Sequence, residues 1–222
     1  GNLDNYSVLI PNKKGLYKAK DNGVKEICTV LCVTDSMNKK NINQTVQETI
    51  NNLKEIFKEG LENGIRTKCY VSVAYHCPYE GKVDAAYVKD LIGQLIDYKV
   101  DELVIADTIG AANPKEVSSL LSSLKSQYKD TSFSCHFHDT RALGLANVYA
   151  GLDADINKFD SCIGGLGGCP FAPNSSGNLA TEDLVSMLEM MNIKTGVNLD
   201  KLIQSRELAS EYTSLSLKGR MI

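Results

Sequence analysis

Short β-branched runs alternate with amphipathic helical patterns along this 222-residue chain, and that alternation constrains the fold more than any other feature. Strands that run the same way in one sheet need crossover connections, so the repeat implies a parallel sheet with helices packed outside it. Strands are expected at Tyr6–Ile10, Glu26–Val33, Thr67–Ala74, Glu102–Asp107, Ser132–His138 and Lys158–Ile163. Helices are expected at Lys14–Asn22, Asn43–Glu62, Asp84–Tyr98, Pro114–Tyr128, Leu143–Leu152 and Asn178–Met191, with a last one from Asp200. Val46, Ile50, Leu53, Phe57 and Leu61 step by four, three, four and four, which is one apolar helix stripe. Asn113 before Pro114 reads as a cap followed by a first-turn proline, and Gly23 and Asn63-Gly64 read as helix stops.

Two architectures satisfy such a repeat. A doubly wound open sheet would carry a Gly-x-Gly-x-x-Gly turn after an early strand, and none is present there. A (β/α)8 barrel, the TIM barrel, gathers reactive residues at the C-terminal ends of several strands. Asp107, His136, His138 and a glycine-rich loop each close a strand here. The expectation is one barrel domain over residues 1–222 in which about two β/α units are missing or were never part of the chain, because eight strands are needed and six are counted.

Composition narrows the function. With 43% hydrophobic and 23% charged residues the chain can build a core, which excludes disorder. The 24 Lys+Arg face 27 Asp+Glu without a basic tract, which argues against a nucleic-acid partner. No stretch approaches the ~20 apolar residues of a membrane span. The seven cysteines are odd in number and form no Cys-x-x-Cys pair, so reduced thiols are expected. The expected location is therefore cytoplasmic, or the mitochondrial matrix in a eukaryotic cell. Val8-Leu9-Ile10 is too short a run for a secretory signal.

Cys135-His136-Phe137-His138-Asp139-Thr140 is the sharpest local motif. Alternate residues of a strand point the same way, so both imidazoles face one side and Cys135 and Phe137 face the helices. Two such histidines make half of a divalent-metal site, or two satisfied core residues. In Gly164-Gly165-Leu166-Gly167-Gly168-Cys169-Pro170, four glycines carry a thiol that is either an acid/base or nucleophile, or incidental to a phosphate-cradling loop. Ser176-Gly177-Asn178 through Glu182-Asp183 reads as a helix start whose acidic first turn the helix dipole explains without invoking function. A carboxylate at Asp107 must face the barrel mouth or a partner, since an unpaired buried acid is costly. His76-Cys77-Pro78-Tyr79-Glu80-Gly81 reads as a lid or structural loop, and Lys39-Lys40 as solvated surface.

Together Asp107-Thr-Ile-Gly, His136-Phe-His138-Asp-Thr, Gly165-Leu-Gly-Gly-Cys169-Pro-Phe-Ala and Ser176-Gly-Asn178-Leu-Ala-Thr-Glu182-Asp resemble the 3-hydroxy-3-methylglutaryl-CoA lyase family. These lyases belong to a wider group of metal-dependent lyases and condensing enzymes on (β/α)8 barrels. The resemblance spans nearly the whole chain, and the Gly-Leu-Gly-Gly-Cys-Pro loop separates lyases from condensing relatives. It implies cleavage of the acyl-CoA substrate to acetyl-CoA and acetoacetate, with Mg2+ or Mn2+ held by His136, His138 and Asn178. It further implies catalytic roles for Cys169, His136, Asp107 and Glu182, and a homodimer. The family's first strand carries an Arg-Asp-Gly motif that supplies one metal ligand and one catalytic arginine. The arginines here are Arg66, Arg141, Arg206 and Arg220, none followed by Asp, and Tyr6–Pro11 matches the family's third strand. By that comparison the barrel lacks the first two β/α units, and the chain as written is expected to bind metal weakly and to cleave poorly or not at all. Arg141-Ala142 and Thr34-Asp35 also depart from the family pattern, at positions expected to touch substrate fit.

Overall fold

In the computed structural model, residues 3–168, 170–171, 177–217 and 219–220 are described. The chain begins with β1 (Ser7–Leu9), α1 (Lys13–Asp21) and β2 (Glu26–Cys32), then α2 (Asp35–Ile42), α3 (Val46–Glu62) and β3 (Arg66–Ser72). A small antiparallel hairpin, β4 (His76–Cys77) with β5 (Gly81–Lys82), leads to α4 (Ala85–Asp97), β6 (Glu102–Asp107) and α5 (Pro114–Gln127). The chain continues through β7 (Ser132–Phe137), α6 (Gly144–Asp153), β8 (Phe159–Asp160), α7 (Thr181–Met190) and α8 (Leu199–Thr213).

All six long-range strands run parallel in the order β1-β2-β3-β6-β7-β8. This is the sequential order of a barrel wall. Among the described strands, β1 and β8 each have one neighbour, so the wall is an arc of six strands. The two faces of the arc differ at every second residue, as the pleat requires. Ile27, Leu31, Cys69, Val71, Leu103, Ile105, Cys135 and Phe137 are buried under the helices. The alternate residues Cys28, Val30, Tyr70, Ser72, Ala106 and His136 line a single cavity on the other face. Side chains from strands that lie far apart in the order converge there, so the sheet is curved around the cavity.

The helices form where capping chemistry and apolar stripes agree. Thr45 and Glu48 make a reciprocal capping box at the start of α3, and Asn113 and Glu116 make another at α5. In α3 the stripe buries Val46, Ile50, Leu53 and Phe57 but leaves Leu61 exposed, because Asn63 and Gly64 already turn the chain. The expected helix over Asn43–Glu62 begins three residues later, at Val46, just after its Thr45 cap.

Two elements differ from the sequence reading. Asp35–Ile42 is a helix where none was expected, and Lys39-Lys40 lies on its exposed side. Its polar run hides the reason, which is Asn38. That side chain is completely buried, accepts from Cys32 N at 3.0 Å and donates to the carbonyls of Gln44 and Thr45 and to Thr49 Oγ1. One amide thus closes both the β2–α2 and α2–α3 connections. The second difference is the β4–β5 hairpin, in the segment read as a loop. Phe57 is fully buried between α3 and the sheet. Phe57→Ala is expected to lower unfolding free energy by about 3–5 kcal/mol in urea titrations, through lost burial and the cavity left behind.

Candidate functional site

The cavity on the concave face has a volume of about 490 Å3 and is lined by His136, His138, Tyr70, Asn178 and the loop residues Gly168, Pro170 and Phe171, among others. It lies at the C-terminal ends of the strands, where β7 delivers the two histidines side by side, 5.3 Å between ring centroids. A larger groove of about 780 Å3 lies between the hairpin, α4 and α5. Its Glu116 already pairs with Lys82 at 2.9 Å and lies 3.1 Å from His76 Nε2.

The two imidazoles sit in different surroundings. His138 is 4% exposed, and its Nδ1 is buried without a hydrogen-bond partner among the described residues. Burial, with the neighbouring His136 adding to it, pushes its pKa down to about 4. His138 is thus a neutral imidazole with an unsatisfied ring nitrogen at neutral pH. His136 places its Nδ1 3.3 Å from Asp160 Oδ2, and that same oxygen accepts from Tyr70 Oη at 2.7 Å.

Asn178 follows the glycine loop and forms a bridge with His138. Its Nδ2 donates to Leu166 O at 2.9 Å, so the acceptor end of the amide is Oδ1. The loop wraps this residue tightly. Gly165 and Gly167 both have left-handed φ, and a Cβ on Gly165 would stand 2.8 Å from the carbonyl oxygen of Asn178. Glycine is required there by geometry, whatever further freedom the loop has.

The structure brings His136, His138 and Asn178 to one cavity and places the two acids elsewhere. Asp107 points to the helix side of β6, away from the cavity that its neighbours Ala106 and Thr108 line. Its carboxylate accepts from Ala111 N at 3.0 Å and Ala112 N at 2.9 Å, so it is the partnered alternative that applies. Burial raises its pKa, and the two N–H groups offset this in part. Glu182 is fully buried, and both its carboxylate oxygens accept from Gly164 N, at 3.1 and 2.9 Å. It pins the start of the glycine loop rather than facing the cavity. Cys169 and Ser176 lie outside the described residues. Tyr70 and Asp160 were missed in the sequence, although a polar residue at an inward position of each expected strand was the signal available.

These residues suit a divalent cation. Two imidazoles, one with an orphaned nitrogen, and an amide oxygen form a mixed donor set appropriate to a hard or borderline ion. Among the described residues no group of three or more His, Cys, Asp or Glu is placed to hold a metal ion by itself, so this set stands as a partial shell.

Two measurements follow from this geometry. Gly165→Ala forces a Cβ against backbone at a left-handed position, and a loss of about 1–3 kcal/mol is expected in urea unfolding. His138 titrates near 4 when folded and near its ordinary 6.5 when unfolded. The unfolded chain therefore takes up the extra proton, and the stability linked to His138 is complete above about pH 6.5 and lost as pH falls toward 4. Chelator-treated protein is expected to lose about 2–3 kcal/mol more between pH 7 and 4.5 than His138→Gln, measured by urea titration at each pH.

Comparison with known proteins agrees with this geometry. Residues 2–209 match the family model described as HMGL-like. The chain is 40% identical over 215 residues to hydroxymethylglutaryl-CoA lyase YngG of Bacillus subtilis, covering 97% of this chain and 72% of that protein. It is 40% identical over 201 residues to the mitochondrial hydroxymethylglutaryl-CoA lyase of Bos taurus, covering 90% of this chain and 62% of that protein. A crystal structure of an HMG-CoA lyase from Acinetobacter baumannii, in complex with coenzyme A and 3-methylmalate, superposes with a TM-score of 0.92 at 35% identity, over 97% of this chain and 70% of that one. The chain thus spans roughly two thirds of the length of the relatives it matches. With its barrel arc, its histidine pair and its glycine loop, the chain belongs to the HMGL-like family, on the branch of the hydroxymethylglutaryl-CoA lyases.

Proposed function

We infer that this chain is the greater part of a metal-dependent carbon–carbon lyase that cleaves 3-hydroxy-3-methylglutaryl-CoA to acetyl-CoA and acetoacetate. The observation that carries the reading is the convergence of His136, His138 and Asn178 with the glycine loop on one cavity, in a chain 40% identical to named lyases. The cation is Mg2+ or Mn2+, held by the two imidazoles and the Asn178 amide oxygen. When bound, it supplies Lewis acidity toward the hydroxyl and carbonyl oxygens of the substrate.

The chain's own residues do the rest. The cavity walls of β2, β3 and β6 hold the acyl portion against the histidines. The glycine loop sits at the cavity through Gly168, Pro170 and Phe171 and limits water access. Tyr79 Oη donates to the carbonyl of Phe171, tying the β4–β5 hairpin to that loop. Cys169 is the acid that returns a proton to the carbon released by the cleavage of the bond between C2 and C3. The removed hydroxyl proton and the returned carbon proton balance, so no co-reactant is consumed. Asp107 and Glu182 act through the loops that they hold. The chain is read as one subunit of a homodimer.

The deciding assay follows acetoacetate release with Mn2+ from 3-hydroxy-3-methylglutaryl-CoA and from a panel of other hydroxyacyl thioesters. It uses this chain and a version to which the first two β/α units of a hydroxymethylglutaryl-CoA lyase are joined at the N-terminus. Preference for the first substrate in the extended protein is expected, with Cys169→Ala reducing turnover by about 10²-fold or more and His138→Ala abolishing Mn2+ binding. Equal turnover across the panel would favour a different hydroxyacyl-CoA lyase or a condensing enzyme. An extended protein that binds Mn2+ and turns over nothing would favour a non-catalytic paralogue.

A further inference from the structure

Asp160 does not line the cavity, yet it touches two residues that do. Tyr70 on β3 donates to its Oδ2 at 2.7 Å, and His136 on β7 places Nδ1 3.3 Å from the same atom. β3 and β8 are separated in the sheet by β6 and β7. Three inter-strand steps of a flat sheet would put their backbones about 14 Å apart. The contact between Tyr70 and Asp160 therefore depends on the curvature of the arc and bridges its concave side.

The chemistry of the three groups allows one proton arrangement. Asp160 Oδ2 faces both the Tyr70 hydroxyl and His136 Nδ1, and an aspartate carboxyl is ionised at neutral pH by its ordinary range. Asp160 is thus ionised and only accepts. Burial and the Asp160 charge push the Tyr70 hydroxyl up, so it remains a donor. The nitrogen of His136 that faces Asp160 must then carry the ring proton. In the neutral ring, the form that can bind a cation, this leaves the lone pair on Nε2. The Tyr70 ring packs edge-on against His136, 5.8 Å between centroids, and limits its rotation.

We propose that Asp160, braced by Tyr70, is a positioning residue that holds His136 as the Nδ1–H tautomer and commits its Nε2 to the cavity. The consequence for cation binding rests on the reading of His136 as a metal ligand; the tautomer does not. A carboxylate behind a ligating histidine also raises the basicity of the free nitrogen, and losing such a partner typically weakens metal affinity. His138, with no partner at Nδ1 among the described residues, lacks this support. The pair is built with one ring locked by hydrogen bonds and one held by packing.

The test reads the tautomer before any metal is added. In chelator-treated protein labelled with 15N, long-range 1H–15N correlation spectra of His136 are expected to show protonated Nδ1 and unprotonated Nε2. Asp160→Asn is expected to lose that preference and to weaken Mn2+ binding about 10-fold or more, followed by electron paramagnetic resonance of free Mn2+. Tyr70→Phe keeps the tautomer and shows a smaller loss. An Nε2–H tautomer in the unsubstituted protein overturns the proposal without reliance on any variant. So does an Asp160→Asn protein that folds and keeps both the tautomer and the affinity. If the tautomer changes as expected while His136→Ala binds Mn2+ as well as the unsubstituted protein, the positioning role stands and the metal-ligand reading of His136 fails.

Discussion

The two-faced parallel sheet is the constraint from which the other features follow. Every second side chain of β2, β3, β6 and β7 is buried beneath helices, which fixes strand register, because a slip of one residue would bury Tyr70 and His136 and expose Ile105 and Phe137. That register also puts the two histidines of β7 on the inward face, and Asp107 of β6 on the outward one. Burial of an apolar face thus decides which polar residues meet in the cavity. The chemistry of the site is a by-product of the packing on the other side of the sheet.

A second layer of organisation comes from short polar contacts that hold the loops. Asn38 closes the connections around α2, Asp107 secures the turn after β6 and Glu182 secures the start of the glycine loop. Each is a buried polar group satisfied mainly by backbone partners, as buried polar groups must be. The carboxylates at Asp107 and Glu182 are therefore part of the frame around the site, and the direct contacts to the cavity come from His136, His138, Asn178 and Tyr70. Asn178 is the joint between frame and site, because the same residue is wrapped by the loop and lines the cavity.

Much of this was legible from residue order. The six strands fall where the β-branched runs place them, since a parallel strand covered by helices needs an apolar residue at least at every second position. The His136–His138 pair was legible because strand period alone puts both rings on one side. The α2 helix was not, because a run of Asp, Ser, Asn and Lys carries no apolar stripe, and what seats it is one buried methionine, Met37, and the hydrogen bonds of the Asn38 amide. The roles of Asp107 and Glu182 were not legible either. A sequence shows that an acid ends a strand or begins a helix, and says nothing of which backbone N–H will lie within reach.

The sequence by itself determined the class of fold, the inward direction of the two histidines and the need for glycines near residue 165, since these depend on local periodicity and backbone freedom. Only the tertiary structure decided that Tyr70 and Asp160, 90 residues apart, share one oxygen and a histidine. That meeting depends on sheet curvature, which arises from the packing of many strands and helices together and is encoded in no single stretch of the chain.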